Sequence, residues 1–276
     1  MAGMDANDVY RYTTRYIPTV TIMNHSEKLE RRAVHDPNFK HRAHDTKIID
    51  DDIPREAAQL LLLDLNVSTR NKSEHRIVVI SSPYKRCLET ATIVAQEVGV
   101  DTIQVYYDYG EAVSASRDAG WDFAYEPLVV PRGEMDVIVA EKSQEGEERH
   151  NSNAITIEMA YGKELSNDDI QENDVRYNFR IGGALTQSCA SLEQDGDHVI
   201  IIGHGSTMKS AGNYFVPSLN LLNVEAPCGY VTFCSPSDDS VWLQGRSKVT
   251  VKPVPSEDMS KKIGHQLENP FGNADE

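Results

Sequence analysis

Apolar positions in this chain fall into short unbroken blocks separated by polar, helix-compatible stretches. Ile17 to Met23 reads Ile-Pro-Thr-Val-Thr-Ile-Met, β-branched and bounded by charge, which predicts a short buried strand. Ile77 to Ile80 and Val199 to Ile202 lack the alternation of a half-buried strand, so both are expected to be covered on two faces, as in a parallel sheet. Ile103 to Tyr107 predicts a third short strand of the same kind. Between these blocks the pattern turns helical. Asp50-Asp51-Asp52 and Pro54 open a helix that runs into Ala57, Ala58 and Leu60 to Leu63, with acids at the positive end of the helix dipole. A second helix is predicted from the turn after Pro83 to a stop at Gly99. A third runs from about Asp174 to Gln194, weakened in its middle by Gly182-Gly183. Gly229 to Cys234 and Val241-Trp242-Leu243 read as paired antiparallel strands.

Strands alternating with helices imply a three-layer α/β/α sandwich around a mostly parallel central sheet. The predicted organisation is an N-terminal arm at 1–16, an α/β domain at 17–252 and a disordered tail at 253–276. Residues 112–175, mixed and acidic, are read as a cap-like insertion in that domain, with 141–153 as an exposed loop. No internal repeat is evident.

Composition narrows the functions this frame can serve. The 276 residues are 39% hydrophobic, enough for one large domain or at most two. Lys and Arg number 27 against 43 Asp and Glu, so the net charge is 27 − 43 = −16. That excludes a broad basic surface for nucleic acid, while leaving room for a local cationic pocket. No run approaches the roughly 20 apolar residues of a membrane span. The first residues carry acids where a secretory signal would be basic and then apolar. Cys87, Cys189, Cys228 and Cys234 form no CxxC pair, as expected of free thiols in a cytoplasmic or nuclear protein. His35, His41 and His44 lie in a charged loop without the carboxylates or cysteines of a metal site, so neither metal nor cofactor is expected.

Candidate chemistry collects at three strand ends. These are Asn24-His25-Ser26, the stretch from Ser81-Ser82-Pro83 to Arg86, and Gly203-His204-Gly205. Open α/β sheets place ligands beyond the carboxyl ends of their strands, so these clusters should converge. Two histidines, one arginine and helix N-termini make an anion site that needs no net basic charge. Taken singly, each has a plainer reading. His25 can be a capping residue, Arg86 can form a surface pair with Glu89, and the Gly-His-Gly can be a tight turn.

Two longer segments are more specific. One is Ser81-Ser82-Pro83-Tyr84-Lys85-Arg86-Cys87-Leu88-Glu89-Thr90-Ala91; the other is Gly196-Asp197-His198-Val199-Ile200-Ile201-Ile202-Gly203-His204-Gly205. They resemble the Ser-Ser-Pro…Arg…Thr-Ala segment and the second-histidine motif of the histidine phosphatase superfamily, the phosphoglycerate-mutase-like proteins. Asn178-Phe179-Arg180-Ile181 is similar to the family's helix ahead of that second motif. The resemblance runs over roughly 17–250. It departs at the first motif, where the family has Arg-His-Gly-Glu, often followed by a second arginine, and this chain has Asn24-His25-Ser26-Glu27-Lys28. The family's Leu-Thr-x-x-Gly-x-x-Gln-Ala region is also replaced, by Ile49 to Ala57 without the glycine.

The resemblance implies a phosphomonoester hydrolase working through a phosphohistidine at His25. Arg86 and His204 would hold phosphate oxygens, and Glu111 would donate the proton. Asn24 would stand where the leading arginine was, and Lys28 would supply a point charge nearby. The loss of that arginine implies weak or narrow activity, because an amide replaces neither the charge nor the fork of a guanidinium. The partner would then be a phosphorylated small molecule or phosphoprotein. A silent member of the family, serving as a binding or scaffold subunit through insertion and tail, is the alternative. A cofactor-dependent mutase fits less well, since it needs additional basic residues for a second phosphate.

Overall fold

The first strand, β1 (Thr19–Asn24), is buried at every position after Thr19. Its side chains alternate between two cores: Val20 and Ile22 belong to one, Met23 to the other. The same alternation divides β2 (Ile77–Ser81) and β5 (His198–Gly203): Val78, Ile80, Val199 and Ile201 face one side, and Val79, Ile200 and Ile202 face the other. A strand apolar at successive positions needs cover on both sides, and helices supply it. The computed structural model describes residues 19–26, 47–64, 76–111, 129–150, 154–165, 172–190, 197–215, 227–234 and 248–252. The expectations for 1–16, Lys28, the loop histidines His35, His41 and His44, Val241 to Leu243, and 253–276 lie outside the described residues.

On one face lie α1 (Asp52–Asp64), α2 (Lys85–Val98) and α3 (Arg132–His150), which bring Ala57, Leu61, Leu88, Val94, Met135 and Val139 to the first core. On the other face lie α4 (Asp174–Ala190) and α5 (Gly205–Phe215), which contribute Tyr177, Ile181, Leu185, Met208 and Phe215. Burying each of the larger of these side chains, Leu, Ile, Val, Met and Phe, is worth about 1.5–3 kcal/mol. Gly99 ends α2 in the left-handed region at φ 76°, its N–H turned back to the Ala95 and Gln96 carbonyls. In α4, Gly182 admits the Tyr214 ring of α5, which a β-carbon would meet at 3.3 Å.

With β3 (Thr102–Tyr106), β4 (Thr156–Tyr161), β6 (Tyr230–Cys234) and β7 (Lys248–Lys252), the described strands make one seven-stranded sheet in the order β4-β3-β2-β5-β1-β6-β7. All pairings from β4 to β1 are parallel; β6 runs antiparallel to both β1 and β7. The layers and the mostly parallel sheet agree with the sequence expectation.

Three details differ from it. Residues 141–150, expected as loop, form the second half of α3; Glu, Lys and Gln are good helix formers, and Lys142 and Ser143 are buried, Lys142 paired with Asp51 at 2.6 Å. Within the stretch read as an insertion, 156–161 is a strand of the central sheet itself. The partner of β6 is 248–252, where Lys248-Val249-Thr250-Val251-Lys252 alternates with period two, as an antiparallel strand does.

No helix among the described residues is long and apolar enough to cross a membrane.

Candidate functional site

The strand order sets the site. From β1 the chain crosses to β2, leaving one place empty, builds outward through β3 to β4, and returns to lay β5 in the gap. The carboxyl ends of β1, β5 and β2 therefore lie side by side, with Asn24 paired to Gly203 and Ser81 to Ile202. Backbone hydrogen bonds carry this register past the strand ends: the His25 N–H donates to the Gly203 carbonyl (3.0 Å) and the Ser82 N–H to that of Ile202 (2.9 Å).

His25 is half-buried and lies beside His204, their rings edge to face with centroids 5.5 Å apart. Its Nδ1 is 2.7 Å from the Ser26 carbonyl oxygen. A carbonyl only accepts, so Nδ1 carries a proton and donates it to Ser26. His204, 1% exposed, is fixed on both ring nitrogens: Arg86 Nη2 lies 3.1 Å from Nδ1, and Ser82 Oγ lies 2.9 Å from Nε2. A guanidinium only donates, so Nδ1 accepts and the proton sits on Nε2, directed at Ser82. Gly203 is required just before it, because a β-carbon there would lie 3.0–3.1 Å from the side chain of Thr207. Thr207 Oγ1 in turn accepts the His204 N–H at 3.3 Å.

Arg86 stands in the first turn of α2, where the chain leaves β2 through Pro83, and is 1% exposed. Its Nη2 meets Glu111 Oε2 at 2.7 Å, and its guanidinium carbon lies 4.7 Å from the centre of the Tyr84 ring. Glu111, with 28% of its side chain exposed, also lies 3.6 Å from His204 Nδ1. Four predicted residues thus meet in one place: His25, Arg86, Glu111 and His204. Asn24 is buried at the end of β1, next to them in sequence and register. Lys28 lies outside the described residues.

One plainer reading falls away: Arg86 and Glu89 are both buried, so they form no surface pair, and Glu89 accepts the Ile48 N–H at 2.7 Å. Ser26, where the family has glycine, is fully buried, and its hydroxyl donates to the Asp50 carbonyl at 3.2 Å. Among the described residues no group of three or more His, Cys, Asp or Glu could hold a metal ion.

Sequence reasoning assigned no role to Ser82, Tyr84, Tyr177 or Arg180. Tyr84 lies edge to face against His204 with centroids 4.8 Å apart, and its hydroxyl donates to the Glu111 carbonyl at 3.2 Å. Ser82 and Tyr84 stand inside a motif already quoted, so their position was the available signal. Arg180 stands in the quoted Asn178-Phe179-Arg180-Ile181 segment, which gave it no role, and Tyr177, three residues earlier on α4, had only helical spacing to mark it.

No protein-family model and no curated protein sequence matches the chain. Solved structures do. Ecdysone phosphate phosphatase from Bombix mori, in complex with tungstate, superposes with a TM-score of 0.53 at 15% identity, covering 87% of this chain and 94% of that one. Phosphoglycerate mutase from Bacillus anthracis str. Sterne gives 0.48 at 14%, over 88% and 95%. Mycobacterial glucosyl-3-phosphoglycerate phosphatase gives 0.47 at 11%, over 87% and 100%. The first of these likenesses shows the fold, a phosphoglycerate-mutase-like α/β sandwich.

Proposed function

We propose that the chain is a phosphomonoester hydrolase acting through a phosphohistidine, with weak or narrow activity. The observation that carries this is the hydrogen bond from His25 Nδ1 to the Ser26 carbonyl, which leaves Nε2 as a nucleophile beside His204 and Arg86. Nε2 attacks phosphorus while the P–O ester bond breaks, and Glu111 delivers the proton that the leaving oxygen takes. Water then attacks the phosphohistidine, Glu111 accepts its proton, and phosphate leaves with His25 neutral again. Arg86, held beside His204 at 3.1 Å, offsets charge on the transferring oxygens. Positioning and electrostatics supply nearly all of the catalysis in such reactions. Asn24 donates only from a neutral amide, which costs on the order of 10²–10³ in rate against an arginine there. The substrate is a phosphorylated small molecule or phosphoprotein.

One observation favours a second reading, a silent family member that binds partners. The charge of Arg86 is already met by Glu111 at 2.7 Å, and no arginine occupies position 24. Hydrolysis of an aryl phosphate by this chain, His25→Ala and Asn24→Arg separates the two. The phosphatase reading expects turnover that His25→Ala abolishes and Asn24→Arg raises by ~10²–10³-fold. Silence in the parent chain with activity in Asn24→Arg supports the second reading. Turnover that persists in His25→Ala overturns the phosphohistidine.

A further inference from the structure

Glu111 follows a turn that does not hold itself. Residues 107–109 form one turn of 3₁₀ helix, closed by the Gly110 N–H donating to the Tyr107 carbonyl at 2.9 Å. The end of such a turn points carbonyls away with no intrahelical donor to meet them. Here the donor comes from across the fold. Arg180 Nη1 donates to the Asp108 carbonyl at 2.5 Å and to the Gly110 carbonyl at 3.1 Å. The rest of the fork is spent on one carboxylate: Nε and Nη2 both meet Glu172 Oε1. The guanidinium carbon also lies 5.1 Å from the centre of the Tyr177 ring.

Tyr177 extends the same helix face to the second motif. Its hydroxyl lies 3.0 Å from Ser206 Oγ and 3.1 Å from Thr207 Oγ1, in the first turn of α5 just after His204. One helix therefore grips both the turn that presents Glu111 and the turn that presents His204. The 3.6 Å between the Glu111 carboxylate and the His204 ring spans those two grips.

We infer that Arg180 is a positioning residue for the proton-donating acid. It fixes the 108–110 carbonyls and thereby holds the Glu111 carboxyl against Arg86 and His204. The inference rests on the phosphatase reading of the site. A planar fork serving two carbonyls and a carboxylate at once is beyond a lysine, which has one charged nitrogen on a flexible stem.

The test compares Arg180→Met, Arg180→Lys and Glu111→Gln with the parent chain on two esters. Phenyl phosphate has a leaving group that needs a proton; 2,4-dinitrophenyl phosphate has one that does not. Arg180→Met is expected to lose ~10–100-fold in kcat/KM, which reports the leaving-group step and not the shared hydrolysis of the phosphohistidine, on phenyl phosphate and less than about threefold in kcat/KM on the dinitrophenyl ester. Glu111→Gln shows the same split more strongly, and Arg180→Lys falls between Arg180→Met and the parent. Equal losses on both esters, or no loss on phenyl phosphate, overturn the inference.

A second arm needs no turnover. Inorganic phosphate competes with the Glu111 carboxylate for the Arg86 guanidinium, whose Nη2 the carboxylate meets at 2.7 Å, so a displaced acid and a neutral one are both expected to ease its binding. Calorimetry with inorganic phosphate should show ~3–10-fold tighter binding to Glu111→Gln and to Arg180→Met than to the parent. Tightening in Glu111→Gln alone overturns the inference and leaves the site reading standing. A parent chain that binds phosphate but turns over neither ester loses the phosphatase reading, and this arm still decides the role of Arg180. Phosphate bound by none of the four overturns both.

Discussion

Strand β5 carries a buried histidine at each end, and the two live in different chemistry. His198, at the amino end, is 3% exposed and hydrogen-bonded to Thr21 Oγ1 at 3.0 Å, which in turn is 2.8 Å from Thr232 Oγ1. Burial among apolar groups and hydroxyls pushes its pKa down to about 3. His204, at the carboxyl end, is 1% exposed and meets a guanidinium, a serine hydroxyl, a carboxylate and a second imidazole. Burial is the same at both ends, so burial does not distinguish a histidine of the core from one of the candidate site. The neighbours do. At the amino end the chain surrounds imidazole with groups that leave it nothing to exchange; at the carboxyl end helix starts and strand-end loops bring charge to it.

The sharpest way to break this contrast is to truncate each ring. His204→Ala is expected to lower aryl phosphate turnover by ~10²–10³-fold, while His198→Ala leaves the rate per folded molecule within about threefold. Steady-state kinetics scaled to the folded fraction reads both, and similar losses at the two positions would erase the distinction.

Titration offers the next test. His198 is neutral in the fold but takes a proton near pH 6.5 once unfolded, so the unfolded chain binds more protons between about pH 3 and 6.5. Its contribution to stability is complete above that window and is lost as the pH falls through it. At pH 5 the group costs about 2 kcal/mol of unfolding free energy relative to pH 7.5. His198→Gln, a neutral side chain that still bonds to Thr21, should flatten the slope in urea titrations between pH 5 and 7.5. An unchanged slope would show that the ring is not neutral in the fold.

The smallest effect concerns how His204 is held. Ser82→Ala removes the acceptor at Nε2 and is expected to cost ~3–10-fold in kcat with little change in KM, in line with about 1 kcal/mol for one hydrogen bond. A KM effect alone would place the hydroxyl on the substrate and not on the ring.

Much of this was legible before any coordinates, and the reasons differ by residue. The apolar blocks at 77–80 and 199–202 announce strands covered on both faces, and polar groups at their ends follow from how parallel sheets bind ligands. His25, Arg86 and His204 could be brought together on that basis alone; Glu111 came in through family resemblance. Arg180 could not be read in this way. It acts on two backbone carbonyls, which leave no trace in side-chain pattern, some 70 residues away in the chain. The 141–150 segment was misread because its charge suits a loop as well as a helix, and the ion pair that buries Lys142 is made with Asp51, distant in sequence. Residues 248–252 show clear alternation, but the more apolar Val241-Trp242-Leu243 drew the strand assignment away from them.

The place of β5 between β1 and β2 has a consequence for how the chain is made. Thr19 pairs with His198 and Ile77 also pairs with His198, so the middle of the sheet closes only after nearly 200 residues exist. At roughly 5–20 residues per second, His25 waits on the order of ten to forty seconds for the ribosome to deliver His204. During that interval the facing edges of β1 and β2 have no strand between them, and unpaired apolar edges invite the wrong partner. A nascent chain stalled or truncated before residue 198 therefore lacks more than His204. It lacks the keystone of the sheet, the strand to which β1 and β2 are both hydrogen-bonded.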